Sequence, residues 1–239
     1  LLDSAALERM LDIYIEPALD FFDVFLGERT PASALSRVQW HLGHVGYRTS
    51  EAWPPPSAQE TVFFLHGLSA AGSTGGGLRR VPATAPEAGT WTYDPANLPP
   101  SNVQNSFAFL YEYPDESGRA RHRDVLVFVS EPLEAPLDLA GPVRLSLRLD
   151  STGPTTDLFV RVCDAAPDGT SRVIVRGQAV VHELGESLQH TIEIGHAGYR
   201  LRPGHALELH LSSSDFPEYV QLRYRGRPMD GGGTRAHDS

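Results

Sequence analysis

The stretch HGLSAAGSTGGG, His66 to Gly77, sets a serine among small residues and closes on a glycine run. Two chemistries use such spacing. A nucleophile elbow, G-x-S-x-G, needs small residues on both sides of the serine because the strand-to-helix turn that exposes it is strained. Gly67-Leu68-Ser69 begins that pattern, but the position two after Ser69 is Ala71, and the GSTGGG that follows would not open a helix. A phosphate-cradling loop needs a lysine after its glycines, and the chain has no lysine. The spacing predicts a glycine-rich connection between strands, without a catalytic role for Ser69.

The other reactive residue types are equally scattered. His41 and His44 straddle Gly43 at a strand end, and His205 and His210 fall at a strand start and on a polar strand face. None has a carboxylate cluster at ligand spacing, so surface or second-layer histidine is expected and no metal site is nominated. Asp115-Glu116 and Glu183/Glu186 sit at turn positions, where carboxylates are ordinarily solvated. Cys163 is the single cysteine, which is read as excluding an internal disulfide framework and any cysteine-based zinc site; its apolar strand context predicts a packed thiol. No cofactor motif is present. Trp91, Tyr93, Phe107, Phe109, Tyr111 and Tyr113 alternate through a loop-rich region. They fit core packing, an apolar wall offered to a ligand, or a carbohydrate platform.

The elements that must position these residues divide at WPPP, Trp53 to Pro56, which reads as a boundary or linker. Before it, Ser4 to Leu26 is helical, with Ser4 as N-cap, Gly27 as C-cap and Pro17 expected to kink or split the helix. Its apolar face, widened by Phe21, Phe22 and Phe25, is too broad to remain uncovered, so self-association through it is one expectation. A short strand follows over Val38 to Leu42. After WPPP the pattern is β. VRLSLRLD (Val143 to Asp150), TIEI (Thr191 to Ile194) and LELHLS (Leu207 to Ser212) alternate strictly, which predicts one face to a core and one to water. DVLVFVSEPL, DLFVRVCDA and SRVIVRGQAVVHEL predict strands buried on both faces, and Gly141-Pro142, Pro167-Asp168-Gly169 and Arg202-Pro203-Gly204 predict turns. The expected fold is mainly β, a jelly-roll sandwich of galactose-binding-like type.

Composition narrows the partners. The chain of 239 residues is 41% hydrophobic and carries a formal charge of -10, and its arginines are dispersed, so no phosphate-neutralising surface for nucleic acid exists. No apolar run approaches the ~20 residues of a membrane helix. LLDSAALERM lacks the basic flank of a signal peptide, which favours the cytoplasm while leaving localisation open.

Seven stretches occur in one order: LDFFDVFLGE (Leu19 to Glu28), the strand leading to WPPP, FFLHG with STGGGL, TYDPANLPP (Thr92 to Pro100), RDVLVFVSEPLEAPLDLAGPV (Arg123 to Val143), TDLFVRVCDAAPDG (Thr156 to Gly169) and LRPGHALELHLSSSDFPEY (Leu201 to Tyr219). Together they resemble the carboxy-terminal region of the CocE/NonD (cocaine esterase-like) and X-Pro dipeptidyl-peptidase family of serine hydrolases. The resemblance implies that residues 1–53 are the last helix and strand of an α/β-hydrolase domain and that residues 54–239 are a jelly roll. It implies upstream hydrolase and cap domains as partners and a small ester or amide as the substrate of the whole protein. It places the triad outside this chain, so His41, His44 and His66 do not fill the catalytic histidine's slot and no residue here is expected to be catalytic. It implies an acyl-pocket wall at Phe107, Phe109 and Leu110, within SFAFLYEY. It also implies a final strand that GGGTRAHDS, read as sequence, stops short of. The rival reading from another class is a stand-alone carbohydrate-binding or interaction module using Trp91, Tyr93 and Tyr111.

Overall fold

A computed structural model of the chain describes residues 4–27, 31, 35–67, 75–85, 87–100, 113–153, 155–182, 188–219 and 233–237. Helix α1 spans Ser4–Phe25 with Pro17 inside it, so of the kink or split expected from the sequence, the split does not occur. Its main chain continues in helical bonding to Gly27, whose amide donates to the Asp23 carbonyl at 3.2 Å. Leu11, Ile15, Leu19, Phe21, Phe22, Phe25 and Leu26 are 45 to 74% exposed, so the broad apolar face inferred from spacing stands uncovered.

Strands β1 (Val38–Leu42) and β2 (Gly46–Ser50) form an antiparallel hairpin. Ten further strands follow: β3 (Phe64–His66), β4 (Gly75–Arg79), β5 (Ala88–Thr92), β6 (Leu126–Ser130), β7 (Leu137–Ser151), β8 (Thr156–Ala165), β9 (Ser171–Val181), β10 (Gln189–Leu201), β11 (Ala206–Ser212) and β12 (Gly233–His237). A single helical turn, α2 (Ser117–Ala120), precedes β6. The strands make a four-stranded sheet ordered β10-β7-β12-β5 and a six-stranded sheet ordered β3-β4-β6-β11-β8-β9. Pairing is antiparallel except between β4 and β6.

One apolar cluster joins the two sheets. Leu145, Leu147 and Leu149 of β7 and Ile192 and Ile194 of β10 meet Leu158, Val160 and Val162 of β8 and Leu207, Leu209 and Leu211 of β11. Alternation explains β7 directly, because Arg144, Ser146 and Arg148 between those leucines face solvent. Strand β8 is buried on both faces, and β9, at the sheet edge, is only partly so. The mainly β architecture of two facing sheets is therefore as the sequence predicted.

Three local readings are corrected. The Gly75–Gly77 run is not a loop but the start of β4, hydrogen-bonded on both sides, while Ser69 and Ser73 lie outside the described residues. Gly141-Pro142 is not a turn; it lies inside β7, opposite the β10 residues His196 and Ala197. The other two turns form, with Ala166 and Thr170 closing the first and Arg202 and His205 the second. A final strand is present, since β12 inserts between β7 and β5. Within WPPP, Pro55 is buried and the Trp53 indole donates to His196 Nδ1 at 2.7 Å, while Pro54 and Pro56 are exposed.

The hairpin is tied to the large body through a pair of glycines. Gly43 N donates to Gly198 O at 2.9 Å, and Arg200 N to Gly43 O at 3.2 Å. A methyl group on Gly43 would stand 2.7 Å from the Tyr113 hydroxyl and one on Gly198 2.3 Å from the His41 carbonyl oxygen, so only glycine permits this approach.

Candidate functional site

The chemistry-bearing residues gather on the outer face of the six-stranded sheet. In the β8–β11 register Glu208 stands opposite Cys163, His210 opposite Arg161 and Ser212 opposite Phe159. Directly opposed residues share a face, so these side chains point away from the leucine core. The sequence assigned that face to water. Instead every residue of β11 is buried, and the segment 113–125 crosses this face, with Glu116 facing Arg161 of β8 and Arg119 reaching Ser212 of β11. Backbone bonds hold the crossing in place: Glu116 N to Ser171 O at 2.5 Å and Val173 N to Pro114 O at 3.0 Å. The Asp115 carboxylate accepts from the Ser171 and Ser117 amides; burial opposes its ionisation, but those bonds outweigh burial and hold its pKa below the ordinary carboxylate value.

Beneath the crossing lies a layer of buried ion pairs. Arg161 Nη2 reaches Asp215 Oδ1 at 2.7 Å and its Nε faces Glu116 Oε1 at 3.6 Å. Arg119, from α2, donates to Ser212 Oγ at 2.5 Å and to the Ser214 carbonyl, and lies 3.6 Å from Asp215. Arg176 pairs with Glu218 through both guanidinium arms and stands 3.8 Å from Asp215. Burial, then the charge of Arg161, lowers Arg119 to about 10, which leaves it cationic at neutral pH. Glu116 was expected in solvent at a turn; it is fully buried as Arg161's partner. The signal that could have found this layer is Arg161 itself, a charge inside a strand otherwise patterned for burial on both faces.

A second group sits beside it. Glu208 Oε1 accepts from Ser171 Oγ at 2.5 Å and meets His210 Nε2 at 2.5 Å. Cys163, Glu208 and His210 each place a donor atom within 4.8 Å of the others, and all three are buried. Burial raises the Cys163 thiol pKa, so the packed, protonated thiol predicted from sequence is what the fold contains. Of the surface and second-layer alternatives for His210, the surface one fails, and the fold places a carboxylate and the single cysteine beside it, where the spacing had offered neither.

A third chain of bonds links the hairpin to both sheets. Arg202 donates to His44 Nδ1 at 3.2 Å, His44 Nε2 to the Tyr199 hydroxyl at 2.8 Å, and Tyr199 to Asp164 Oδ2 at 2.8 Å, while His205 Nδ1 meets Asp164 Oδ1 at 2.7 Å. Burial first, then the Arg202 charge, lowers the His44 pKa and favours its neutral ring. Tyr199→Phe would remove two of these bonds and leave the buried Asp164 with one partner. The expected loss is about 1–3 kcal/mol, read as a melting temperature lower by roughly 5 °C.

Among the predicted site residues, Phe107, Phe109 and Leu110 lie outside the described residues. Their flanks are held by this layer: Arg119 Nη1 donates to Pro100 O at 3.4 Å, Arg172 to Tyr113 O at 3.0 Å, and the Tyr113 ring packs edge-on to Tyr199. The carbohydrate platform loses its main residue, since the Trp91 ring is buried in the core with its indole on Ser213 Oγ at 2.9 Å. His66 is bonded to the Val81 carbonyl.

Residues 31–230 match the model of the X-Pro dipeptidyl-peptidase C-terminal non-catalytic domain. The chain belongs to that family. Consistent with the membership, this X-Pro dipeptidyl-peptidase C-terminal-type chain is 30% identical over 220 residues to cocaine esterase of Rhodococcus sp. (strain MB1 Bresler), covering 83% of this chain and 38% of the esterase. Its fold is similar to that of an aminopeptidase from a marine sediment archaeon, Thaumarchaeota archaeon (TM-score 0.73, 20% identity, 95% of this chain and 43% of that one). It is also similar to an α-amino acid ester hydrolase (TM-score 0.72, 21% identity, 90% and 41%) and to a CocE/NonD family hydrolase from Staphylococcus aureus (0.62, 13%, 95% and 43%). The chain thus spans about two fifths of the length of each of these relatives. The region is a non-catalytic part of larger hydrolases.

Proposed function

We propose that this chain is the C-terminal part of a serine hydrolase acting on ester or amide bonds, of acyl or X-Pro dipeptidyl type, and that it scaffolds the catalytic domain without turning over substrate alone. In that reading residues 1–53 close the α/β-hydrolase domain and residues 54–239 form the accessory sandwich. The observation that carries the reading is the uncovered face of α1, from Leu11 to Leu26, attached to a sandwich of the X-Pro dipeptidyl-peptidase type. An apolar face of that breadth is stable in water only against a partner surface. An upstream hydrolase domain in the same polypeptide is the partner that the family supplies. The acyl transfer itself, serine attack with a histidine base and an oxyanion hole, belongs to that domain.

Phe107, Phe109 and Leu110 would contribute an apolar wall to the acyl pocket, presented on a segment whose two ends are held by Arg119 and Arg172. Two measurements test the proposal. The chain alone should hydrolyse p-nitrophenyl acetate no faster than buffer, and activity abolished by Ser69→Ala would overturn the reading. In the polypeptide that includes the upstream domain, Phe107→Ala or Phe109→Ala should lower kcat/KM for an aromatic acyl ester by ~10–100-fold, mostly through KM, as expected for loss of apolar contact in a pocket. Unchanged kinetics in both variants would remove the wall from the proposal.

A further inference from the structure

Cys163, Glu208 and His210 have no part in acyl transfer, and their arrangement differs from the ion-pair layer beside them. In that layer the buried arginines Arg119 and Arg161 and the half-buried Arg176 are matched by Glu116, Asp215 and Glu218. Glu208 pairs with His210 and with no arginine among the described residues. We infer that Cys163 Sγ, a carboxylate oxygen of Glu208 and a ring nitrogen of His210 form a binding site for one divalent transition-metal ion, of which zinc is the type.

The donor set is the first argument. A thiolate, an imidazole and a carboxylate are the three protein ligands of zinc, and the metal bonds of about 2.0–2.3 Å place such atoms roughly 3.5 Å apart. The three atoms already lie within 4.8 Å of one another. Pairing of Glu208 with Cys163 across β8 and β11, and the two-residue step from Glu208 to His210, fix all three on one sheet face, so small side-chain rotations close the site.

The second argument is an unpartnered atom. His210 is 1% exposed, its Nε2 faces Glu208, and its Nδ1 is buried without a hydrogen-bond partner among the described residues. A buried imidazole nitrogen without a partner costs stability, and a metal bond at Nδ1 removes that cost. Ser171 Oγ, bonded to Glu208 Oε1, supplies the outer hydrogen bond that orients a metal-bound carboxylate. Charge also balances. Binding releases the thiol proton to solvent, the ring binds as the neutral imidazole with one N–H retained, and the thiolate and carboxylate together neutralise the ion's two positive charges. The loaded site is therefore neutral as a whole.

Cobalt(II) titration of the chelator-treated 239-residue chain tests the site, because tetrahedral cobalt with a sulfur ligand shows a thiolate charge-transfer band in the near ultraviolet. The expected result is one equivalent bound with that band, displacement by zinc(II), and a zinc-dependent rise of about 5 °C in melting temperature at saturating metal. Cys163→Ser should abolish the band, and His210→Gln or Glu208→Gln should weaken cobalt binding by roughly 10–100-fold. If those variants fold poorly, the wild-type spectrum decides, since Cys163 is the chain's single sulfhydryl. Absence of the thiolate band would overturn the proposal, and so would metal bound without it, which would place the ion on surface histidines.

Discussion

Replacing Asp215 with alanine should lower the melting temperature of the chain by ~10 °C. Asp215 is 2% exposed and is the carboxylate on which three guanidiniums converge, Arg161 at 2.7 Å, Arg119 at 3.6 Å and Arg176 at 3.8 Å. Its removal leaves buried positive charge facing only Glu116 and Glu218. Deleting one partner of a buried pair costs about 3–5 kcal/mol because the remaining charge is neither solvated nor matched. At roughly 2–4 °C per kcal/mol for a chain of this size, the shift follows. Asp215→Asn keeps the shape and loses the charge, so it should fall nearly as far. The control is Glu131→Ala. Glu131 pairs with Arg79, but their side chains are 75% and 47% exposed, and a solvent-screened pair contributes about 0–1 kcal/mol. Similar melting temperatures for the two alanine variants would show that the buried layer is not an energetic unit.

Gly76→Ala should be the more damaging of two neighbouring substitutions that look alike in sequence. A methyl group on Gly76 would stand 1.7 Å from the His66 carbonyl oxygen, whereas one on Gly77 would meet only the Arg79 side chain at 3.2 Å. Strand β4 is bonded to β3 on one side and β6 on the other, so it cannot move away from His66 without losing a ladder. The cost expected for Gly76→Ala is ~3 kcal/mol, at the upper end for an overpacked site. Gly77→Ala should stay within about 1 kcal/mol, because the flexible, exposed end of Arg79 can swing aside. Urea midpoints of the two variants compare them directly, and equal losses would contradict the strand geometry.

The glycines show what the sequence could and could not reveal. HGLSAAGSTGGG was legible as non-catalytic, because an elbow and a phosphate loop each lack a required residue. That its last three glycines form a strand was not legible, since glycine carries no side chain whose alternation would announce one. They are paired because β6 and β3 come close enough to exclude larger residues. β7 and β11 draw the same lesson from opposite sides. Both alternate, but alternation states only that two faces differ, not that the polar one is wet. Solvent covers Arg144 and Arg148 on β7, whereas Glu208 and His210 on β11 are buried, on the face where Arg119 of the 113–125 segment reaches Ser212. Nothing in the spacing of β11 records a cover supplied from some ninety residues earlier in the chain. The apolar face of α1 was readable from its period of four, and the family from the order of seven stretches. Arg119 and Asp215 were not, because each acquires its meaning only where distant segments meet.

The position of β12 bears on how the molecule is made. Among the described residues, 88–92 reach their sheet through residues 233–237, so Trp91's strand gains this neighbour only after the ribosome has added some 140 further residues. During vectorial synthesis the six-stranded half can assemble from earlier codons, while the smaller half waits with an open edge between β5 and β7. Nascent chains stalled just before Gly233 should therefore be the species that chaperones and proteases capture.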